Sequence, residues 1–159
     1  MSSRLVTVTY IRATPEAVWE ALTTPEIIRR YWNGAFHESR WEVGAPWTLR
    51  LPDGRVADTG EVLEFEPFRR LSVSWRSELR QDLRAEGYAR CLWTIEPDAG
   101  DVVKLVVTHE MDCPDSVLIA MAANSWPAIL AGLKTWLETG VALDMSNHWP
   151  SKALRAEQA

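Results

Sequence analysis

Cysteine is scarce in this sequence of 159 residues, with Cys91 and Cys113 the two present. Their separation matches no paired metal-ligand spacing, and so small a complement suits a reducing compartment better than a disulfide scaffold. Histidine is also rare, at three residues, and no cluster of histidine or cysteine is spaced to hold a metal. A glycine-rich phosphate loop and a nucleophile elbow are missing, which removes the signatures of nucleotide-dependent and serine-hydrolase chemistry. No cofactor is implied. Positive charge is short as well: 17 Lys and Arg against 22 Asp and Glu leave a net charge of −5. That balance offers phosphate no attraction and argues against nucleic acid as a partner. No apolar run reads as a membrane span, and residues 1–10 lack the basic start and apolar centre of a signal peptide. The expectation is a cytoplasmic protein without a membrane partner. What is abundant is tryptophan, with nine residues. Its large apolar body and single donor serve cores, interfaces and ligand pockets alike.

The length fits a single domain spanning 1–159, with a core over 5–140 and a C-terminal tail over 141–159. The clearest element lies late in the chain, from Asp115 to Gly140. Trp126, Ile129, Leu130, Leu133, Trp136 and Leu137 recur there at helical steps and form one apolar stripe. Asp115 or Ser116 can cap this helix, and Gly140 supplies the left-handed residue that stops it. Pro127 removes a backbone donor, so a kink or fresh start is expected between Ala123 and Trp126.

Earlier in the chain, Leu5 to Ile11 alternates as a strand. Thr14-Pro15 and Thr24-Pro25 then open two short helices, the second ending at Asn33-Gly34. From Phe36 to Met111 alternating strands are divided by turns such as Pro52-Asp53-Gly54. Ser77 to Glu86 reads either as a helical turn or as a long hairpin loop. Seven strands with short connections make an antiparallel meander whose apolar face needs a cover, and the last helix is that cover. After Gly140, Trp149-Pro150 either caps one end of the domain or serves a partner contact, and 151–157 can form a weak helical turn.

Three segments carry a resemblance: PEAVWEALTTPEIIRRYW from Pro15 to Trp32, VGAPWTL with DGRVADTGEVLEFEPFRRLSVSW up to Trp75, and SWPAILAGLKTWLETG ending at Gly140. Their order and spacing resemble the START-like, birch-allergen-like helix-grip fold of the SRPBCC superfamily. Within it, the likeness is to proteins similar to the activator of the heat-shock protein 90 ATPase. Ala45, Ser125 and Pro127 depart from the family's pattern at a turn and at the start of the last helix. The resemblance implies an α+β helix-grip architecture: a curved seven-stranded antiparallel sheet wrapped around the long C-terminal helix, with two short helices between the first and second strands. It also implies a cavity between sheet and helix that in the superfamily holds apolar ligands. A chaperone or homodimer partner is compatible with it. It implies no reaction.

Strand alternation nominates the cavity wall. Carried along each strand, one phase turns Trp47, Leu63, Trp75, Cys91 and Trp93 inward, opposite Trp126, Ile129, Leu130 and Leu133. The same phase brings in Glu61 and His109 as the titratable groups of the interior besides Cys91. Trp32 and Trp41 read equally as core filler or pocket wall. A carboxylate and an imidazole facing one apolar space orient a polar ligand head or exchange a proton. At strand ends, more often, they merely reach solvent or a backbone partner. Cys91 reads as an inert buried thiol, and His37 and His148 as solvated loop residues. An empty space of about 300 Å³ would cost roughly 7 kcal/mol at the scale of engineered cavities, so the bulky indoles either leave a small or narrow cavity or fill the space altogether. The reading is therefore a module that binds an apolar or aromatic small molecule, without metal. Its alternatives are a chaperone-associated interaction module and an enzyme using Glu61 or His109 as acid or base.

Overall fold

The computed structural model describes residues 2–158. In chain order its elements are β1 (Ser3–Arg12), α1 (Pro15–Thr23), α2 (Pro25–Tyr31), β2 (Phe36–Ser39), β3 (Pro46–Arg50), β4 (Val56–Glu66), β5 (Arg70–Ser77), α3 (Gln81–Glu86), β6 (Ala89–Pro97), β7 (Val102–Met111), α4 (Val117–Thr139) and α5 (Ser151–Glu157). The seven strands form one antiparallel sheet in the order β1-β7-β6-β5-β4-β3-β2. Strands β2 to β7 are therefore a meander, and β1 leaves it to pair with β7, Ser3 opposite Met111 and Arg12 opposite Val102. The α+β architecture read from the sequence is the one observed.

Local chemistry sets the helix ends. Thr14 accepts from the Ala17 amide at 3.1 Å ahead of Pro15, whereas α2 starts at Pro25 without a side-chain bond from Thr24. Ser116, not Asp115, caps α4 by accepting from the Ile119 amide at 3.1 Å. Glu86, at the end of α3, adds a carboxylate to the same positive helix end. It accepts from the Val117 and Leu118 amides at 2.7 and 3.3 Å. Gly140, at φ 73°, closes the helix in the left-handed region. Pro127 causes no fresh start: α4 runs unbroken through it, because packing against the sheet outweighs a lost donor worth about 3 kcal/mol.

By length and composition α4 is apolar enough to cross a membrane, which corrects the sequence reading on that point. Its apolar stripe, however, is buried as in a core helix, with Ile119, Ala122, Trp126, Leu130 and Leu133 inside. The helix lies on β1 and β7 and against α2. Polar bonds fix its far end, where Lys134 donates to the Tyr10 carbonyl at 2.5 Å and Glu138 accepts from the Arg12 amide at 2.8 Å. Trp136, expected in the core, is half-buried with the Arg30 guanidinium above its ring.

Both segments left open by the sequence take definite places in the fold. The charged stretch after β5 folds as α3, with Leu83 buried. The tail folds back on the domain: Trp149 packs against the core, and the Asn33 amide group donates to the carbonyls of Met145 and His148 at 2.5 and 3.0 Å.

Strand β4 carries one position that no side chain can occupy. A Cβ on Gly60 would lie 1.7 Å from the backbone oxygen of Ser74 on β5. Gly60→Ala is expected to force the two strands apart and to cost about 3 kcal/mol, read as a lower urea midpoint with an unchanged slope.

Candidate functional site

The site begins with an irregularity in β4. Alternation read backward from Phe65 turns Leu63 and Glu61 inward. A bulge between Val62 and Glu64 instead shifts the register by one residue. Beyond it Val62 is fully buried, while Glu61 and Leu63 are exposed. The Glu61 amide is tied to Ser74 Oγ at 2.9 Å on the outer side. In their place the interior receives Asp58, only 8% exposed. The same one-residue shift misplaced two candidates and hid the inward turn of Asp58 from an alternation reading.

Asp58 lines a cavity of about 180 Å³ bounded by the sheet, α3, α4 and the tail. Trp32 from the end of α2, Trp75 from β5, and Trp126 with Ile129 from α4 form its apolar walls, and Trp149 and Leu83 narrow it from either side. Ser77 and His109 join Asp58 as polar wall residues, and Leu79, Arg80 and Met121 stand at an exposed rim. The indoles meet mostly edge to face: Trp32 and Trp126 at 5.5 Å and 68°, Trp75 and Trp126 at 6.1 Å and 75°.

The remaining sequence candidates stand elsewhere. Trp47 and Trp93 are buried behind the wall, in ring contact with Trp75 at 4.6 and 6.3 Å. Cys91, Leu130 and Leu133 are core residues outside the cavity, and burial pushes the Cys91 thiol well up. Trp41 sits at φ 52° just past β2 and donates to the Thr23 carbonyl at 3.0 Å, away from the space. His37, read as solvated, is buried among Trp32, Trp47, Trp75 and Trp93 at 4.8–6.1 Å. Its place on β2, the shortest strand, gave too little alternation to assign a face.

Burial governs the titration of this cluster. The Trp126 indole N–H donates to His109 Nδ1 at 3.2 Å, so Nδ1 is the acceptor and the neutral ring carries its proton on Nε2. Desolvation lowers His109 to about 4 and His37 to about 3, and both stay uncharged at neutral pH. Asp58 is raised to about 7, chiefly by desolvation, with a hydrogen bond from Trp75 opposing the rise and the Glu78 charge adding to it. His109 Nε2, both His37 nitrogens and the Trp32 and Trp47 indole nitrogens are buried without a partner. Burying such a group without a partner costs about 1–3 kcal/mol. Among the described residues no group of three or more His, Cys, Asp or Glu is placed to hold a metal.

The family described as Activator of Hsp90 ATPase homolog 1-like protein matches residues 12–138. The chain belongs to this family. No curated protein matches it. Among solved structures, a protein from Mesorhizobium loti shares 23% identity at a TM-score of 0.73, covering 86% of this chain and 97% of its own. An HSP90 activator from Plasmodium falciparum shares 18% at 0.70, with coverages of 85% and 96%. An Aha1 dimer from Colwellia psychrerythraea shares 19% at 0.69, with coverages of 87% and 98%. At these identities the likeness is one of fold, and it places the family's helix-grip architecture on this chain.

The shifted groups make opposite contributions to stability. His37 and His109, depressed from 6.5, contribute fully above pH 6.5, and their contribution is lost as pH falls toward about 3 and 4. Asp58, raised from 3.8, contributes below that value and loses its contribution as pH rises through about 7. Asp58→Asn is therefore expected to gain about 2 kcal/mol relative to the unmodified protein between pH 5 and pH 8, measured by urea unfolding at each pH.

Proposed function

We propose that this protein binds a compact apolar or aromatic small molecule in the cavity beneath α4. The carrying observation is the cavity itself, walled by indoles with one buried carboxyl group among them. Ligand sites are commonly apolar hollows with a few convergent polar groups. At about 180 Å³ the space is smaller than most of these. An engineered cavity of about 150 Å³ admits benzene, so the occupant here is about one ring in size. For roughly eight non-hydrogen atoms the expected affinity is about 0.1–1 mM. For the alternative of an acid–base enzyme using Glu61 or His109, exposure takes Glu61 out of the cavity and leaves His109 in its wall.

The test is titration of tryptophan emission with single-ring apolar compounds, alongside native mass spectrometry of the purified protein. Saturable quenching is expected, and Ala122→Phe, which fills the cavity, is expected to abolish it while the near-ultraviolet circular dichroism stays folded. No emission change up to about 10 mM of any probe would overturn the proposal.

A chaperone-associated role is the second reading, supported by a half-exposed apolar row on the outer face of edge strand β1: Val6, Val8 and Tyr10. If it holds, the chain stimulates the ATPase of a heat-shock protein 90, and Val8→Glu suppresses the stimulation without changing stability by more than about 0.5 kcal/mol. Absence of stimulation by the unmodified chain removes this reading.

A further inference from the structure

We propose that the occupant is an organic cation, a protonated amine on an apolar body about one ring in size, with the Asp58 carboxylate as its counter-ion. This rests on the small-molecule reading above and adds the charge of the ligand. The first support is the charge inventory around Asp58. Among the described residues it has no ion-pair partner. The cation nearest the opening, Arg80, is already engaged with Asp82 at 2.6 and 3.1 Å. Glu78, which follows β5, is held by Arg76 at 2.8 Å and Arg84 at 3.2 Å. From β7 the facing titratable group is His109, kept neutral by burial, and the lining residues of α4 carry no charge. Among the described residues the cavity thus holds one carboxyl group able to carry a negative charge and no unpaired positive group.

The second support is the wall. Indole faces attract cations, most strongly where water is excluded. Trp32, Trp75 and Trp126 are buried at 4%, 5% and 3% exposure. The carboxylate and these rings line one cavity, so a cation held there would have both as neighbours. Neither a neutral ligand nor an anion gains both. The third support is linkage: burial keeps Asp58 protonated to about 7, so an arriving ammonium group must displace that proton. Binding of the cation then strengthens as pH rises toward neutrality, up to about tenfold per pH unit below the free-state value. Alkyl ammonium groups keep their proton over this range.

The experiment uses three single-ring probes of matched size, benzylamine, benzyl alcohol and benzoate, titrated by calorimetry and tryptophan emission at pH 6, 7 and 8. Benzylamine is expected to bind at least about tenfold tighter than benzyl alcohol at pH 8. Its affinity falls toward pH 6 with release of a proton, read from the heats in two buffers of different ionisation enthalpy. Asp58→Asn erases both the preference and the pH slope. The slope and proton release in the unmodified protein stand as a test even if the variant does not fold. Benzyl alcohol or benzoate binding as tightly as the amine, with no proton released, overturns the cation and leaves the small-molecule reading intact. Failure of all three probes overturns both.

Discussion

The inner face of the sheet must be covered, and α4 is what covers it; the hydrogen bond from Trp126 to His109 at 3.2 Å is where that contact becomes specific. Apolar burial is non-directional and would hold the helix at several heights and rotations. A buried donor and acceptor satisfy each other at one of them. The bond fixes the imidazole tautomer, seats an indole against β7, and leaves the space beside it. Ser116, Glu86 and the Lys134–Tyr10 contact secure the two ends of the same helix.

Large rings explain why a helix-grip interior here is narrow. Seven rings, from Trp32, His37, Trp47, Trp75, Trp93, His109 and Trp126, pack together between sheet and helix, with contacting pairs at 4.6–6.3 Å between centroids. Filled this way, the interior keeps dispersion contacts that a wide cavity would forfeit. The remaining space is closed on one side by α3 and on another by the returning tail, so its shape depends on segments outside the repetitive sheet. Neutral imidazoles suit such a place, because they fill volume as aromatic rings without bringing a charge.

Much of this was legible in the sequence. Periodicity located α4 and its buried stripe, the Thr-Pro pairs located α1 and α2, and alternation along β5, β6 and β7 placed Trp75, Trp93 and His109 inside. The failure at β4 had one cause. Alternation is read by counting, and a bulge adds a residue that counting cannot see. Gly60 was the available signal, since an interior glycine in a strand marks a bulge or a close backbone approach, and here it accompanies both. His37 and the tail were opaque for a different reason: four residues of β2 and an irregular connection hold no period from which a face can be inferred.

The pairing of β1 with β7 has a consequence for how the molecule assembles. Ser3 Oγ donates to the Cys113 carbonyl at 2.6 Å across 110 residues of intervening chain. Closing so long a loop costs about 4 kcal/mol of chain entropy, whereas neighbours in the meander from β2 to β7 are joined by short connections, the longest of them holding α3. The pairing of the first strand is thus among the costliest contacts of the fold in chain entropy, and the long helix, which lies on that strand, depends on it. The hollow exists only where that strand and that helix are both in place, so whatever binds in it would hold the long loop closed.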